Sequence, residues 1–128
     1  MSYINFINTF KQNCLAKKKY YYFNNINKKT SNILYKFIEL GLIKNIQYIN
    51  KNYIKIYPTY VNEQIIFKNL KILYKPSNKK NINIKTLQKI KKYKHNCFII
   101  MLTPKGLLTN IEALNNNTGG ILLLKCNL

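Results

Sequence analysis

The chain has 128 residues, and 22 basic side chains against three acidic ones leave a formal charge of +19 at pH 7. This length fits one compact unit or two small modules rather than a multi-domain enzyme, and 47% hydrophobic residues spread along the whole chain exclude a disordered tail. The acids are Glu39, Glu63 and Glu112 and the single histidine is His95, so acid–base and metal-assisted catalysis lack material, and no enzyme, cofactor or small-molecule substrate is expected.

Apolar residues at Ile4, Ile7, Phe10, Cys14 and Leu15 recur at helical spacing and predict an amphipathic helix from Tyr3 to about Leu15. Lys17 to Lys19 then lead into Tyr20 to Phe23, an aromatic run expected to form a strand closed by Asn24 and Asn25. Thr30 or Ser31 is the expected cap of a second helix, whose face is Ile33, Leu34, Phe37, Ile38 and Leu42 and whose end is marked by Gly41. Two alternating segments, Ile46 to Ile49 and Tyr53 to Tyr57, flank a hairpin turn at Asn50 to Asn52, and an extended run covers Gln64 to Leu73. Tyr74 to Lys80, with Pro76, Ser77 and the lysines Lys79 and Lys80, breaks the pattern and predicts a boundary between modules spanning 1–74 and 75–128. Beyond it the expected elements are a short strand at Ile82 to Ile84, a helix from Thr86 to Tyr93, and an apolar strand from Cys97 to Leu102. A loop at Thr103 to Gly106, a short helix around Asn110 to Asn115, the pair Gly119-Gly120 and a final strand from Ile121 to Cys126 complete an α+β chain.

The charge calls for a polyanionic partner. Every basic residue is lysine, a hydrated point charge, which favours salt-dependent contact with phosphate over bidentate reading of bases. Lys17, Lys18 and Lys19 followed by Tyr20, Tyr21 and Tyr22 form either a basic, aromatic RNA surface or a strand with core tyrosines and solubilising lysines. Lys89, Lys91, Lys92 and Lys94 are either a solvated helix face or a further phosphate contact. Thr103, Pro104, Lys105 and Gly106, directly after a buried strand, offer a hydroxyl, an amine and backbone amides, and read as a nucleic-acid contact or as a simple turn. His95 has no acid or cysteine beside it, and Gly119 and Gly120 fit no phosphate-loop pattern, so they are expected to admit a close backbone approach.

Cys14, Cys97 and Cys126 are far apart and odd in number, which predicts free thiols rather than a disulfide framework or zinc site. No apolar run approaches the roughly 20 residues of a membrane span. Asn, Lys, Ile, Tyr and Phe dominate while Arg, Asp and Trp are absent, a usage that follows AT-rich codons and is typical of a mitochondrial or plastid genome, although an AT-rich parasite or endosymbiont genome leaves the same mark. The N-terminus carries neither an arginine-rich presequence nor a signal-peptide core, so synthesis inside the organelle is expected.

The stretch Ile99 to Leu124 resembles bacterial-type small-subunit ribosomal protein eight: Thr103, Lys105, Gly106, Thr109, Glu112, Ala113, Gly119 and Gly120 fall on matching positions. More loosely, Ile33 to Ile46 resembles that family's helix and exit, and Lys75-Pro76-Ser77 its interdomain turn. Leu102 and Pro104 stand where the family has two serines, and Ile121 replaces a glutamate. The resemblance implies an α/β N-terminal module and a mostly β C-terminal module that bind the central domain of small-subunit rRNA early in assembly, beside neighbouring small-subunit proteins. It also implies that the Thr103 to Gly106 loop lies in the RNA minor groove. The expected RNA-facing set is Thr103, Pro104, Lys105, Gly106, Thr109, Gly119 and Gly120, with Lys17, Lys18, Lys19, Lys79 and Lys80 on phosphates. The expected compartment is the mitochondrial ribosome, with the plastid ribosome as alternative, and the rival function is a free-standing basic RNA- or DNA-binding protein.

Overall fold

A computed structural model of the chain describes residues 2–24, 26–75, 77, 81–93 and 97–127, with the backbone alone at Ser2 and 90–93. The architecture is mixed α and β with antiparallel sheets throughout, divided into two compact units, Met1–Ile66 and Phe67–Leu128.

In the first unit, helix α1 (Ser2–Leu15) and helix α2 (Lys28–Glu39) accompany β1 (Tyr21–Asn24), β2 (Ile43–Asn50) and β3 (Tyr53–Pro58), which form an antiparallel sheet in the order β1-β3-β2. Alternation along β1 and β3 sends Tyr21, Phe23, Ile54 and Ile56 to the buried side. There the Phe6 ring meets Phe23 edge-on at 5.2 Å, and Phe10 meets Phe37 at 5.0 Å. Each such large apolar side chain, fully withdrawn from water, contributes about 1.5–3 kcal/mol.

Helix α2 starts one turn earlier than the sequence predicts. Asn27 caps it, its side chain accepting from the Thr30 backbone N–H at 2.9 Å, and the Thr30 hydroxyl bonds the same oxygen instead of capping. The end is as expected: Gly41 at φ +82° lets its own N–H reach the Ile38 carbonyl and the Leu42 N–H reach that of Phe37. Helix α1 closes in the same way on Lys17, at φ +54°, with N–H bonds from Lys17 to Cys14 and from Lys18 to Asn13.

The expected run from Gln64 to Leu73 is broken. Gln64–Ile65 (β5) pairs with Tyr60–Val61 (β4) through a turn in which Asn62 and Glu63 both have positive φ, whereas Asn69–Ile72 (β6) joins the second unit. The units consequently divide at Ile66/Phe67 rather than at 74/75. The reason is pairing: β6 ladders with the last strand, and the Leu73 and Tyr74 N–H groups both donate to the Leu123 carbonyl.

The second unit adds β7 (Asn81–Ile82), α3 (Ile84–Tyr93), β8 (Cys97–Thr103), β9 (Gly106–Thr109), α4 (Asn110–Asn115) and β10 (Gly120–Asn127). Its strand order is β6-β10-β8-β9, with β7 paired to the start of β10. Ile82, Leu87, Ile99, Met101 and Ala113 form a core against which Leu108, Leu114 and Leu122 pack.

Candidate nucleic-acid interface

Strands β8 and β9 form a hairpin whose last pair is Thr103↔Gly106, leaving Pro104 and Lys105 as its turn. Gly106 sits at φ +108°, a conformation that a β-carbon would strain. The Thr103 hydroxyl donates to the Gly106 carbonyl at 2.8 Å and accepts the Lys105 N–H at 3.2 Å. Sequence reasoning predicts a hydroxyl and amides that are free; the hydroxyl and the Lys105 amide are engaged within the turn, which stiffens it. The Lys105 ammonium donates to the Asn116 carbonyl at 3.1 Å, at the negative end of α4.

Gly119 and Gly120 carry the strand past this hairpin. A β-carbon on Gly120 would overlap the Leu102 carbonyl oxygen, and one on Gly119 that of Ile82, so the backbones touch where no side chain fits. Thr103, Pro104, Gly119 and Gly120 share the walls of one open, mainly apolar groove with Leu102, Ile121 and residues 81–84. Thr109 is buried at the other end of β9, where it caps α4: its hydroxyl accepts the Glu112 N–H and its own N–H donates to the Glu112 carboxylate at 3.2 Å. One acid of the chain is thereby committed to structure. A second, Glu39, pairs with Lys36 at 3.6 Å.

Lys17, Lys18 and Lys19 are exposed in the first unit, and the Lys18 carbonyl accepts the Tyr60 hydroxyl at 2.6 Å. Of the tyrosines that follow, Tyr21 points into the core and Tyr20 and Tyr22 point out. Lys89 is exposed on α3, whereas Lys79, Lys80, Lys94 and His95, and the side chains of Lys91 and Lys92, lie outside the described residues. Sequence reasoning missed Lys55, Tyr53 and Tyr57, which join Tyr20 and Tyr22 on the outer face of the sheet; the strict alternation of Tyr53 to Tyr57 was the available signal.

Burial pushes the Cys14 and Cys126 thiols up from 9.0 to about 12, the charge of Cys97 adding to the effect at Cys126. Burial likewise raises the Tyr21 phenol. Among the described residues no three His, Cys, Asp or Glu side chains gather around a possible metal position, and no helix is long and apolar enough to cross a membrane.

Comparison with known proteins adds two findings. Residues 4–126 match the sequence profile of the family Ribosomal protein S8. The chain is also similar to the small ribosomal subunit protein uS8m of Acanthamoeba castellanii, with 30% identity over 96 residues that cover 75% of this chain and 76% of the relative.

Proposed function

The chain belongs to the ribosomal protein S8 family, and from that premise we propose that it is a structural, non-catalytic constituent of the small subunit of a mitochondrial ribosome that binds the central domain of small-subunit rRNA. The observation that carries this reading is the match over 4–126, which includes the Thr103 to Gly106 hairpin.

Double-stranded RNA offers proteins a wide, shallow minor groove lined by ribose 2′-hydroxyls and bounded by phosphates, recognised by shape. The hairpin meets that surface as a preformed object. The Thr103 hydroxyl donates to Gly106 and accepts from Lys105, and its second lone pair is left for a ribose hydroxyl. The Lys105 ammonium exchanges the Asn116 carbonyl for a phosphate. Pro104, standing where the resembling proteins have serine, contributes shape without a hydroxyl or an N–H. Thr109, Gly119 and Gly120 support the hairpin from inside: one caps α4 and two let β10 run close to Leu102 and Ile82. Lys17, Lys18, Lys19, Lys79 and Lys80 supply point charges to the phosphate backbone.

The test is a footprint of the full chain on the matching small-subunit rRNA, wild type beside Thr103→Ala/Lys105→Ala. Protection confined to the central domain and lost in the double variant is the expected result. Protection spread evenly over the RNA would leave a nonspecific basic binder, the reading that the charge of +19 favours by itself. For Lys105→Ala alone, the slope of log affinity against log salt should fall by about 1.

A further inference from the structure

We propose that the outer face of the β1-β3-β2 sheet, built from Tyr20, Tyr22, Tyr53 and Tyr57 around Lys55, is a stacking platform for unpaired bases of single-stranded RNA. The inference rests on the reading of the chain as an rRNA-binding protein, and it assigns bases to a surface separate from the hairpin.

The inward residues of these strands build the core, and the tyrosines stand on the opposite face of the sheet. Tyr20 and Tyr22 are 45% and 47% exposed. Tyr22 and Tyr53 lie parallel across the strand pair, with centroids 5.4 Å apart and planes within 18°, a two-ring stack that a base extends without rearrangement. Tyr20 meets Tyr22 edge-on at 5.9 Å and Tyr57 at 6.1 Å, carrying the aromatic surface across β1 and β3.

A cation stands in the middle of these rings. The Lys55 ammonium is 4.0 Å from the Tyr20 centroid and 5.2 Å from that of Tyr57, and a hydrogen bond to the Tyr57 hydroxyl is the main reason its pKa is raised. This charge is held in place, available to the phosphate between two stacked bases. The β2 residues opposite Lys55 and Tyr57 are amides, Gln47 and Asn45, which puts exposed donors and acceptors beside the rings.

Charge selects the occupant. Strands β1, β2 and β3 contain no acidic residue, Lys17 to Lys19 are exposed directly before Tyr20, and Lys44 and Lys51 are exposed at the two ends of β2. A partner with planar rings on a polyanionic backbone matches both the tyrosines and the lysines. A duplex does not, because its bases are already stacked on each other and present no free faces.

The experiment compares the affinity of the full chain for an oligouridylate of about ten nucleotides with that for an abasic backbone of equal length and charge. The wild type should prefer the base-bearing strand by about fivefold or more, since one stacked base is worth roughly 1–3 kcal/mol. Tyr22→Leu/Tyr53→Leu should sharply reduce the preference, while abasic affinity, which reports the lysine field, and the far-UV circular dichroism spectrum, which reports the fold, stay unchanged. Tyr22→Phe/Tyr53→Phe should retain it. Equal binding of both strands by the wild type, or a preference undiminished in the leucine variant, overturns the proposal and leaves this face to a protein neighbour or to solvent. A diffuse rRNA footprint beside an intact base preference would remove the central-domain reading and leave the platform standing.

Discussion

Gly119 and Gly120 occupy positions where carbonyl oxygens of neighbouring strands fill the space of a β-carbon. Gly120→Ala should therefore cost about 1–3 kcal/mol, the range for forcing extra volume into packed structure, read as a lower urea midpoint. Lys17 presents the opposite case. It closes α1 in the left-handed region at φ +54°, where a side chain costs roughly 1–2 kcal/mol and glycine almost nothing. Lys17→Gly is expected to raise stability by up to about 1 kcal/mol while weakening RNA binding, so the residue tells charge apart from folding. The thiols give a third residue-scale test. Folding favours the neutral forms of Cys14 and Cys126, so their contribution is complete below the ordinary value of 9.0 and is lost as pH rises toward about 12. Alkylation of the folded chain at about pH 8 should be confined to half-buried Cys97, with all three thiols reacting in urea, as read by mass spectrometry.

At the scale of elements, α4 is short and depends on its ends. Thr109 and Glu112 cap the start, and Asn117 at φ +55° closes the end with N–H bonds from Asn117 to Leu114 and from Thr118 to Ala113. The same helix presents the Asn116 carbonyl to Lys105, so a frayed α4 removes the anchor of the hairpin's amine. Thr109→Ala should cost about 1 kcal/mol, read as a lower urea midpoint, without altering any group on the groove wall. Most elements were legible because their apolar spacing is local. The β4–β5 hairpin was not: its turn is Asn62-Glu63, and no glycine marks the two positive-φ positions. Several residues around the start of α2 suit a cap, Thr30 and Ser31 among them, and the backbone geometry selects Asn27.

On the scale of the whole molecule, the charge of +19 dominates. Close lysines repel in the free chain, and exposed charges are screened over about 10 Å at 0.1 M salt. Added sulfate is expected to raise Tm by on the order of 5 °C, the shift that corresponds to about 1 kcal/mol in a unit of this size; an insensitive Tm would mean that the lysines are spaced beyond mutual reach. RNA should stabilise further by binding the folded state.

The amino-acid sequence by itself determined the α+β class, the excess of positive charge, the scarcity of catalytic groups and the segment that carries the hairpin, because composition and short-range periodicity record which faces are buried and which are charged. Tertiary structure decided three other matters: the union of Asn69–Ile72 with β10, the internal use of the Thr103 hydroxyl, and the gathering of Tyr20, Tyr22, Tyr53 and Tyr57 around Lys55. The first and third join residues far apart in the chain; the second turns on the closing geometry of a two-residue turn. Strand register and side-chain direction are set by the pairing of whole strands, and no local window of residues contains that information.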